Sequence, residues 1–462
     1  MDPRVKAFMD SMKGKRVDMI GVGVSHRELI PLLVSKGAKV ALCDRKTREQ
    51  LGETADWLES LGVQLKLGPD YLDRLDGEII FRSPGMKYLT PQLTAARRRG
   101  QVVTSELEVF LELCPCPVYG VTGSDGKTTT TTLIAEMLEK QGFTVHKGGN
   151  IGRALLPILE QVSPDDRAVV ELSSFQLISM RSSPKVAVVT NVAPNHLDVH
   201  KDMAEYIDAK KNIFAHQTGF SRTVLNLDNE ITASFGELTR GETFFFTRRK
   251  KPEQGAFLGE DGTLTMVYRG EEIPILPMGE IRIPGLHNVE NYLAAISAVW
   301  GEVSPEVICQ VARTFGGVEH RIEFVRELCG VKWYNDSIAT SPTRAIAGLN
   351  AFDQKMIILA GGYDKKIPFE PLAPVMVEKV KLLILTGVTA PKIEAAVRAC
   401  PGFAASGMEI RHAKDLAEAV AIAHREAKAG DVVSLSPACA SFDSYPNFEE
   451  RGKHFKALVH AL

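Results

Sequence analysis

Gly120-Val121-Thr122-Gly123-Ser124-Asp125-Gly126-Lys127-Thr128 joins a short β-prone run, Val118 to Val121, to a helical segment from about Lys127 to Lys140 that Gly142 stops. A strand that enters a glycine-rich turn and leaves it as a helix predicts an α/β domain. In such a turn, backbone N–H groups wrap phosphate oxygens while the helix start adds partial positive charge. Lys127 can reach the terminal phosphates, and Thr128 offers a hydroxyl to Mg2+. Leu133, Ile134, Met137 and Leu138 give the helix one apolar face. The loop departs from the strict G-x-x-x-x-G-K-[ST] pattern, because its first glycine stands at Gly120 and Val121 occupies the expected place.

The alternation continues in both directions. The 462 residues exceed one core and, at about 100–200 residues per domain, predict about three folded units. Val17 to Ile20, Arg27 to Lys36 and Lys39 to Cys43 read as βαβ with parallel strands. The middle unit opens after Cys114-Pro-Cys-Pro117 and continues with strands at Ala168 to Leu172, Val186 to Asn191 and Thr223 to Leu227. A hairpin-like stretch follows from Thr243 to Ile283, with Asp261-Gly262 as its clearest turn. The third unit begins near Glu319, with strands at Lys332 to Tyr334, Met356 to Ala360, Leu382 to Thr386 and Val432 to Ser434, and helices such as Leu416 to Ala429. Lys and Arg number 55 against 57 Asp and Glu, a balance that excludes a nucleic-acid binder relying on bulk positive charge. No apolar run approaches the ~18–20 residues that span a bilayer, and the N-terminus lacks a signal peptide's apolar segment, so a cytoplasmic protein without a membrane partner is expected. The seven cysteines read as free thiols; Cys114-Pro-Cys116 has the wrong spacing for a zinc knuckle.

Further loops carry polar chemistry. Gly21-Val-Gly23-Val24-Ser25-His26 follows a strand, opens a helix and precedes a strand ending at Asp44, imitating a dinucleotide fingerprint with His26 in place of the third glycine. That loop fits an NAD-linked enzyme, another nucleotide or plain structure. Ser83-Pro84-Gly85 follows the strand Glu78 to Phe81 on the same C-terminal edge, where ligands of open sheets bind. Glu171 ends a buried strand before Ser173-Ser174-Phe175-Gln176, and Asn191 to His196 ends the next. A carboxylate beside a phosphate loop suits Mg2+, whereas a lone histidine is more often structural. Lys210 and Lys211 would ordinarily be a solvated helix face. Asn335-Asp336-Ser337, Gly361-Gly-Tyr-Asp-Lys365 and Ser436 to Phe442 each follow a strand and together predict a binding face, while Arg321 stands at the proposed boundary where it could reach nucleotide phosphates.

Taken together, these residues resemble the Mur ligases of peptidoglycan synthesis across essentially the whole chain. The resemblance rests on Gly120 to Thr128, Gly148-Gly-Asn-Ile-Gly152, Glu171 to Gln176, Asn191 to Asp198, His287-Asn288 to Asn291, Glu319-His-Arg321, Asn335-Asp-Ser337 and Leu435 to Gly452. It implies an α/β fold of three domains: a Rossmann-like UDP-binding domain at 1–107, a central P-loop ATP-binding domain with added antiparallel hairpins at 108–317, and a C-terminal Rossmann-like amino-acid domain at 318–462. The implied activity is ATP-dependent addition of D-glutamate to UDP-N-acetylmuramoyl-L-alanine through an acyl phosphate. A sibling ligase or a folylpolyglutamate synthetase with another acceptor is the alternative, and the last motif favours D-glutamate. By resemblance, Gly23, Val24, Asp44, Arg45, Ser83, Pro84, Gly85, Asn150 and Ser173 bind the UDP substrate. ATP falls to Gly123, Ser124, Asp125, Gly126, Lys127, Thr128, Thr129, Asn288, Asn291, Arg321 and Asp336. Thr128 and Glu171 would hold one Mg2+ and His196 a second, beside a carbamylated Lys210 with Lys211 as its rival. Thr340, Lys365, Ser441, Phe442 and Phe448 would hold D-glutamate. Lys127, His196, Lys210 and Arg321 form the implied catalytic set, acting in a monomer. Ile338 stands where many relatives carry lysine, so any contact of that lysine is missing here.

Overall fold

The computed structural model describes residues 2–194 and 200–462, and Val24 by its backbone alone. The first sheet holds β1 (Arg16–Ile20), β2 (Lys39–Asp44), β3 (Gln64–Leu67), β4 (Ile79–Phe81) and β5 (Val102–Thr104) in the order β3-β2-β1-β4-β5. All its pairings are parallel. The order reverses direction at β1, so the loops after β1, β2 and β4 share one edge, with a crevice where the crossovers diverge.

The second sheet holds β6 (Val118–Thr122), β7 (Val145–Gly149), β8 (Arg167–Glu171), β9 (Val186–Val189), β10 (Arg222–Asn226) and β11 (Glu242–Phe246) in the order β11-β10-β9-β6-β8-β7. The phosphate-loop strand β6 therefore lies between β8 and β9, which separates the Glu171 end from the Asn191 turn. In this part of the chain, beyond shifts of one residue at strand ends, two features differ from the reading of the sequence. The strand expected to run to Asn191 ends at Val189. The stretch from Thr243 is divided: β11 pairs in parallel with β10. Only β12 (Gly255–Leu258), β13 (Thr263–Tyr268) and β14 (Glu271–Pro277) form the antiparallel piece, with Asp261-Gly262 between β12 and β13 as expected.

The fourth sheet orders β15 (Glu323–Leu328), β16 (Val331–Asn335), β17 (Met356–Gly361), β18 (Val380–Thr386), β19 (Glu409–His412) and β20 (Val432–Leu435) as β15-β16-β20-β17-β18-β19. β15 enters as an antiparallel hairpin with β16, and the remaining pairs are parallel. One face buries Tyr334, Ile358, Leu383 and Ile393, the other Trp333, Leu359, Val420 and Phe455, so the strands read as continuous apolar runs. The helix from Leu416 stops at Glu426 because Ala427 is extended.

Contacts divide the chain into two compact units, Met1–Met278 with Glu290–Val311, and Gly279–Val289 with Ala312–Leu462. Within the first, Glu106 of the helix Glu106–Leu113 accepts the N–H groups of Leu155 and Leu156, each at 2.7 Å. This buried carboxyl anchors the segment that follows Asn150, while its burial pushes its pKa up to about 6.

Candidate active site

The loop after β6 is shaped by close packing. Gly123 has φ +152, and a Cβ there would lie 1.8 Å from Thr190 Oγ1; at Gly126, φ +78, it would lie 2.5 Å from Asn291 Oδ1. Only glycine fits either place. Gly120 has a different purpose: a Cβ would meet Pro184 Cγ at 2.6 Å, so this glycine serves packing beneath the strand, which accounts for the displaced pattern. The Asn191 turn braces the loop. Asn191 Oδ1 accepts Asp125 N at 2.9 Å, and Ser124 Oγ donates to Ala193 O at 2.9 Å. Lys127 Nζ lies over the loop, donating to Gly123 O at 2.9 Å and Ser124 O at 2.8 Å. Thr129 is buried in the first turn of the helix Lys127–Gln141, and Thr130 Oγ1 donates to Asn291 Oδ1 at 3.2 Å.

Across from the loop, Glu171 collects oxygen chemistry. Thr128 Oγ1 donates to Glu171 Oε2 at 2.7 Å, and Asn150 Nδ2 donates to Glu171 Oε1 at 2.8 Å. Gly149 makes this possible, since a Cβ there would lie 2.3 Å from Glu171 O. A hydroxyl and a carboxylate at the start of a phosphate-loop helix fit Mg2+, which takes oxygen ligands and keeps several waters. Among the described residues no group of three or more His, Cys, Asp or Glu gathers around a metal position. His196 lies outside the described residues.

The two candidate lysines differ sharply. Lys210 is 1% exposed and donates to Gly123 O at 2.8 Å, beneath the phosphate loop. Burial, followed by the positive charge of Lys127, pulls its pKa down to about 7, against a small opposing pull from Asp125. Lys211 instead pairs with Asp208 at 3.0 Å on the outer side of the helix Met203–Ala215. The solvated-face reading therefore fails for Lys210, whose helix turns it inward.

On the first sheet, Gly21 and Ser83 come after β1 and β4 and Asp44 ends β2, three neighbouring strands. Gly23 and Arg45 are exposed there. His26, buried, folds back to Gly21 O at 2.8 Å and closes its own turn. Pro84 and Gly85 continue toward a cavity of 240 Å3 that Phe175, Ile178 and His200 also line. Ser173 caps the helix Ser174–Leu177.

In the second unit, the three loops predicted to share a face follow β16, β20 and β17, which are adjacent. Asp336 is buried, accepting from Ser436 Oγ at 3.1 Å and Ile322 N at 3.3 Å, and burial pushes its pKa up to about 7. Arg321 is held between two residues of positive φ, His320 (64) and Ile322 (43), a costly conformation for a β-branched side chain. Asn335 fixes His320 through its Nδ1 at 2.9 Å. Lys365 and Phe442 are exposed, Ser441 is buried, and Thr340 and Phe448 are half-buried. Asn288 is buried and donates to Pro284 O at 2.5 Å. A residue missed in the sequence organises this face: buried Arg451 donates to Ser337 O at 2.9 Å, Cys439 O at 3.0 Å and Ala440 O at 3.2 Å. Its spacing from Phe448 and Phe455 on one helix face was the available signal.

Comparison with known proteins gives two family matches, the Mur ligase middle domain over residues 121–299 and the Mur ligase glutamate ligase domain over residues 320–439. The UDP-N-acetylmuramoylalanine--D-glutamate ligase of Acetivibrio thermocellus is 51% identical, with 100% of both chains covered. The protein of the same name from Clostridium perfringens is 48% identical, with 98% of both covered. Among solved structures, a UDP-N-acetylmuramate-alanine ligase from Thermotoga maritima matches with a TM-score of 0.57 at 18% identity, over 97% of this chain and 99% of that one. At that identity the likeness is one of fold.

The buried lysine gives a pH dependence with a definite sign. Burial brings the Lys210 pKa down to about 7 in the folded chain from its ordinary 10.5 when unfolded, so the unfolded state holds more protons between these values and stability must rise with pH there. In CO2-free buffer, the melting temperature of the wild type relative to Lys210→Met is expected to increase from pH 7 to pH 9. A constant difference would contradict the burial argument.

Proposed function

The chain belongs to the Mur ligase family, and we propose that it joins D-glutamate to UDP-N-acetylmuramoyl-L-alanine at the expense of ATP. Identity of 47–51% along the whole chain to relatives named for that reaction carries the choice of D-glutamate over a sibling acceptor. The proposed division is a UDP domain at 1–107, an ATP domain at 108–317 and an amino-acid domain at 318–462. No helix is long and apolar enough to cross a membrane among the described residues. The proposed setting is the cytoplasm, with the chain acting as a monomer.

The chemical problem is amide formation from a carboxylate, whose oxygen is a poor leaving group. Attack of the carboxylate on the γ-phosphate of ATP gives an acyl phosphate and releases ADP; the D-glutamate amine then attacks the acyl carbon, losing a proton as inorganic phosphate leaves. Such transfer depends on positioning and charge neutralisation. Gly123, Ser124, Asp125 and Gly126 cradle the phosphates, and Lys127 exchanges its loop carbonyls for phosphate oxygens. Thr128 and Glu171 would hold a magnesium ion that neutralises phosphate charge, and a second is assigned to His196. Thr129, Asn288, Asn291, Arg321 and Asp336 complete the proposed ATP set. Gly23, Val24, Asp44, Arg45, Ser83, Pro84, Gly85, Asn150 and Ser173 are assigned to the UDP substrate, and Thr340, Lys365, Ser441, Phe442 and Phe448 to D-glutamate.

Lys210 is the proposed site of carbamylation. A neutral amine is the form that adds CO2, and burial supplies it near pH 7, whereas the ion pair with Asp208 favours charged Lys211. With 13C-bicarbonate, a carbamate carbon resonance is expected that Lys210→Ala abolishes and Lys211→Ala keeps. The reverse pattern would move the site to Lys211.

The reaction is tested by ADP release with UDP-N-acetylmuramoyl-L-alanine, ATP and Mg2+, offering D-glutamate, L-glutamate, L-alanine, meso-diaminopimelate or no amino acid. Turnover with D-glutamate alone is expected. Turnover with another acceptor would reassign the specificity, and ADP release without either substrate would contradict the ligase reading.

A further inference from the structure

Arg82 immediately follows β4 and precedes Ser83-Pro84-Gly85, and it is 1% exposed. Its guanidinium reaches three elements of the first unit. Nη1 donates to Met86 O at 3.4 Å within the substrate loop. Nη2 donates to Phe175 O at 3.1 Å and to Ser179 Oγ, in and after the short helix that Ser173 caps. The same nitrogen pairs with Glu108 Oε1 at 3.4 Å on the helix Glu106–Leu113, and Ser179 also donates to that oxygen. The loop is gripped a second time through Tyr88. Its ring lies 5.7 Å from Arg82 Cζ and 4.1 Å from Arg97 Cζ, and Arg97 Nη1 donates to Tyr88 O at 3.1 Å.

These contacts build the 240 Å3 cavity lined by Gly85, Lys87, Tyr88, Phe175 and His200. Phe175 is held twice, its carbonyl by Arg82 and its ring by stacking on His200 at 5.2 Å and 6°. His200 in turn bonds Ser174 Oγ at 2.9 Å. A buried cation is a poor means of gaining stability alone, since an apolar side chain of similar volume often serves as well. Arg82 Nε is moreover buried without a hydrogen-bond partner among the described residues. What the guanidinium supplies, and an apolar chain would not, is fixed geometry between the loop and the short helix that line the cavity, with Glu108 bracing the cation from a third element.

We infer that Arg82 is a positioning residue for the UDP-linked substrate, clamping the loop 83–90 to the Ser174–Leu177 helix so that the two walls of its cavity keep their spacing. The inference rests on the proposed assignment of Ser83, Pro84, Gly85 and Ser173 to that substrate.

Steady-state kinetics of the full chain test it with Arg82→Met, Arg82→Lys and Tyr88→Leu, alongside melting temperatures. Arg82→Met is expected to raise KM for UDP-N-acetylmuramoyl-L-alanine by about tenfold, leaving KM for ATP and D-glutamate within about twofold, with partial recovery in Arg82→Lys. Tyr88→Leu is expected to raise the same KM by about threefold, and it carries the test if Arg82→Met does not fold. An unchanged KM for the UDP substrate, or a uniform rise in all three together with a lower melting temperature, would overturn the inference. A wild type that does not turn over the UDP substrate would instead overturn the proposed function.

Discussion

No side chain fits at Gly123 or Gly126, and the chemistry of the first unit follows from that constraint. Thr190 and Asn291 stand where the missing Cβ atoms would be, so the loop is moulded against its neighbours, with the Ser124 and Asp125 amides held by Asn191. Gly149 repeats the device one layer over. By letting its strand close on β8, it brings Asn150 to Glu171, while the helix start brings Thr128 to the same carboxylate.

Charge is arranged with the same economy of space. Gly123 O accepts from both Lys127 and Lys210, two ammonium-bearing side chains on one carbonyl. The interior eases this by favouring the neutral amine of Lys210 through burial, with Lys127 adding to the effect. Asp336 in the second unit is treated alike, burial raising its pKa to about 7. Shifted groups also serve structure, as Glu106 does, and what sets Lys210 and Asp336 apart is their place beside nucleotide-type loops.

The loops themselves were legible because their glycines, polar residues and flanking strands are contiguous in sequence. Gly120 to Thr128 and the three loops of the C-terminal sheet fall on the expected edges. What escaped depends on residues distant in sequence. β11 reads Glu-Thr-Phe-Phe-Phe, a polar start and an apolar run that fit either orientation, and its parallel partner is chosen by chain crossover, which local periodicity does not encode. Lys210 looked solvated because only the packing of its helix turns it under the loop. Arg82 and Arg451 are single arginines whose importance lies in carbonyls up to 93 and 114 positions away.

The central claim is that the loop after β6 activates a carboxylate by moving phosphate onto it. The most direct measurement labels the L-alanine carboxylate of UDP-N-acetylmuramoyl-L-alanine with 18O and follows the label through turnover with ATP and D-glutamate. One labelled oxygen should appear in each inorganic phosphate released, because the attacking carboxylate oxygen leaves with the phosphorus. Unlabelled phosphate beside formed amide would contradict the acyl-phosphate route and the role assigned to the loop.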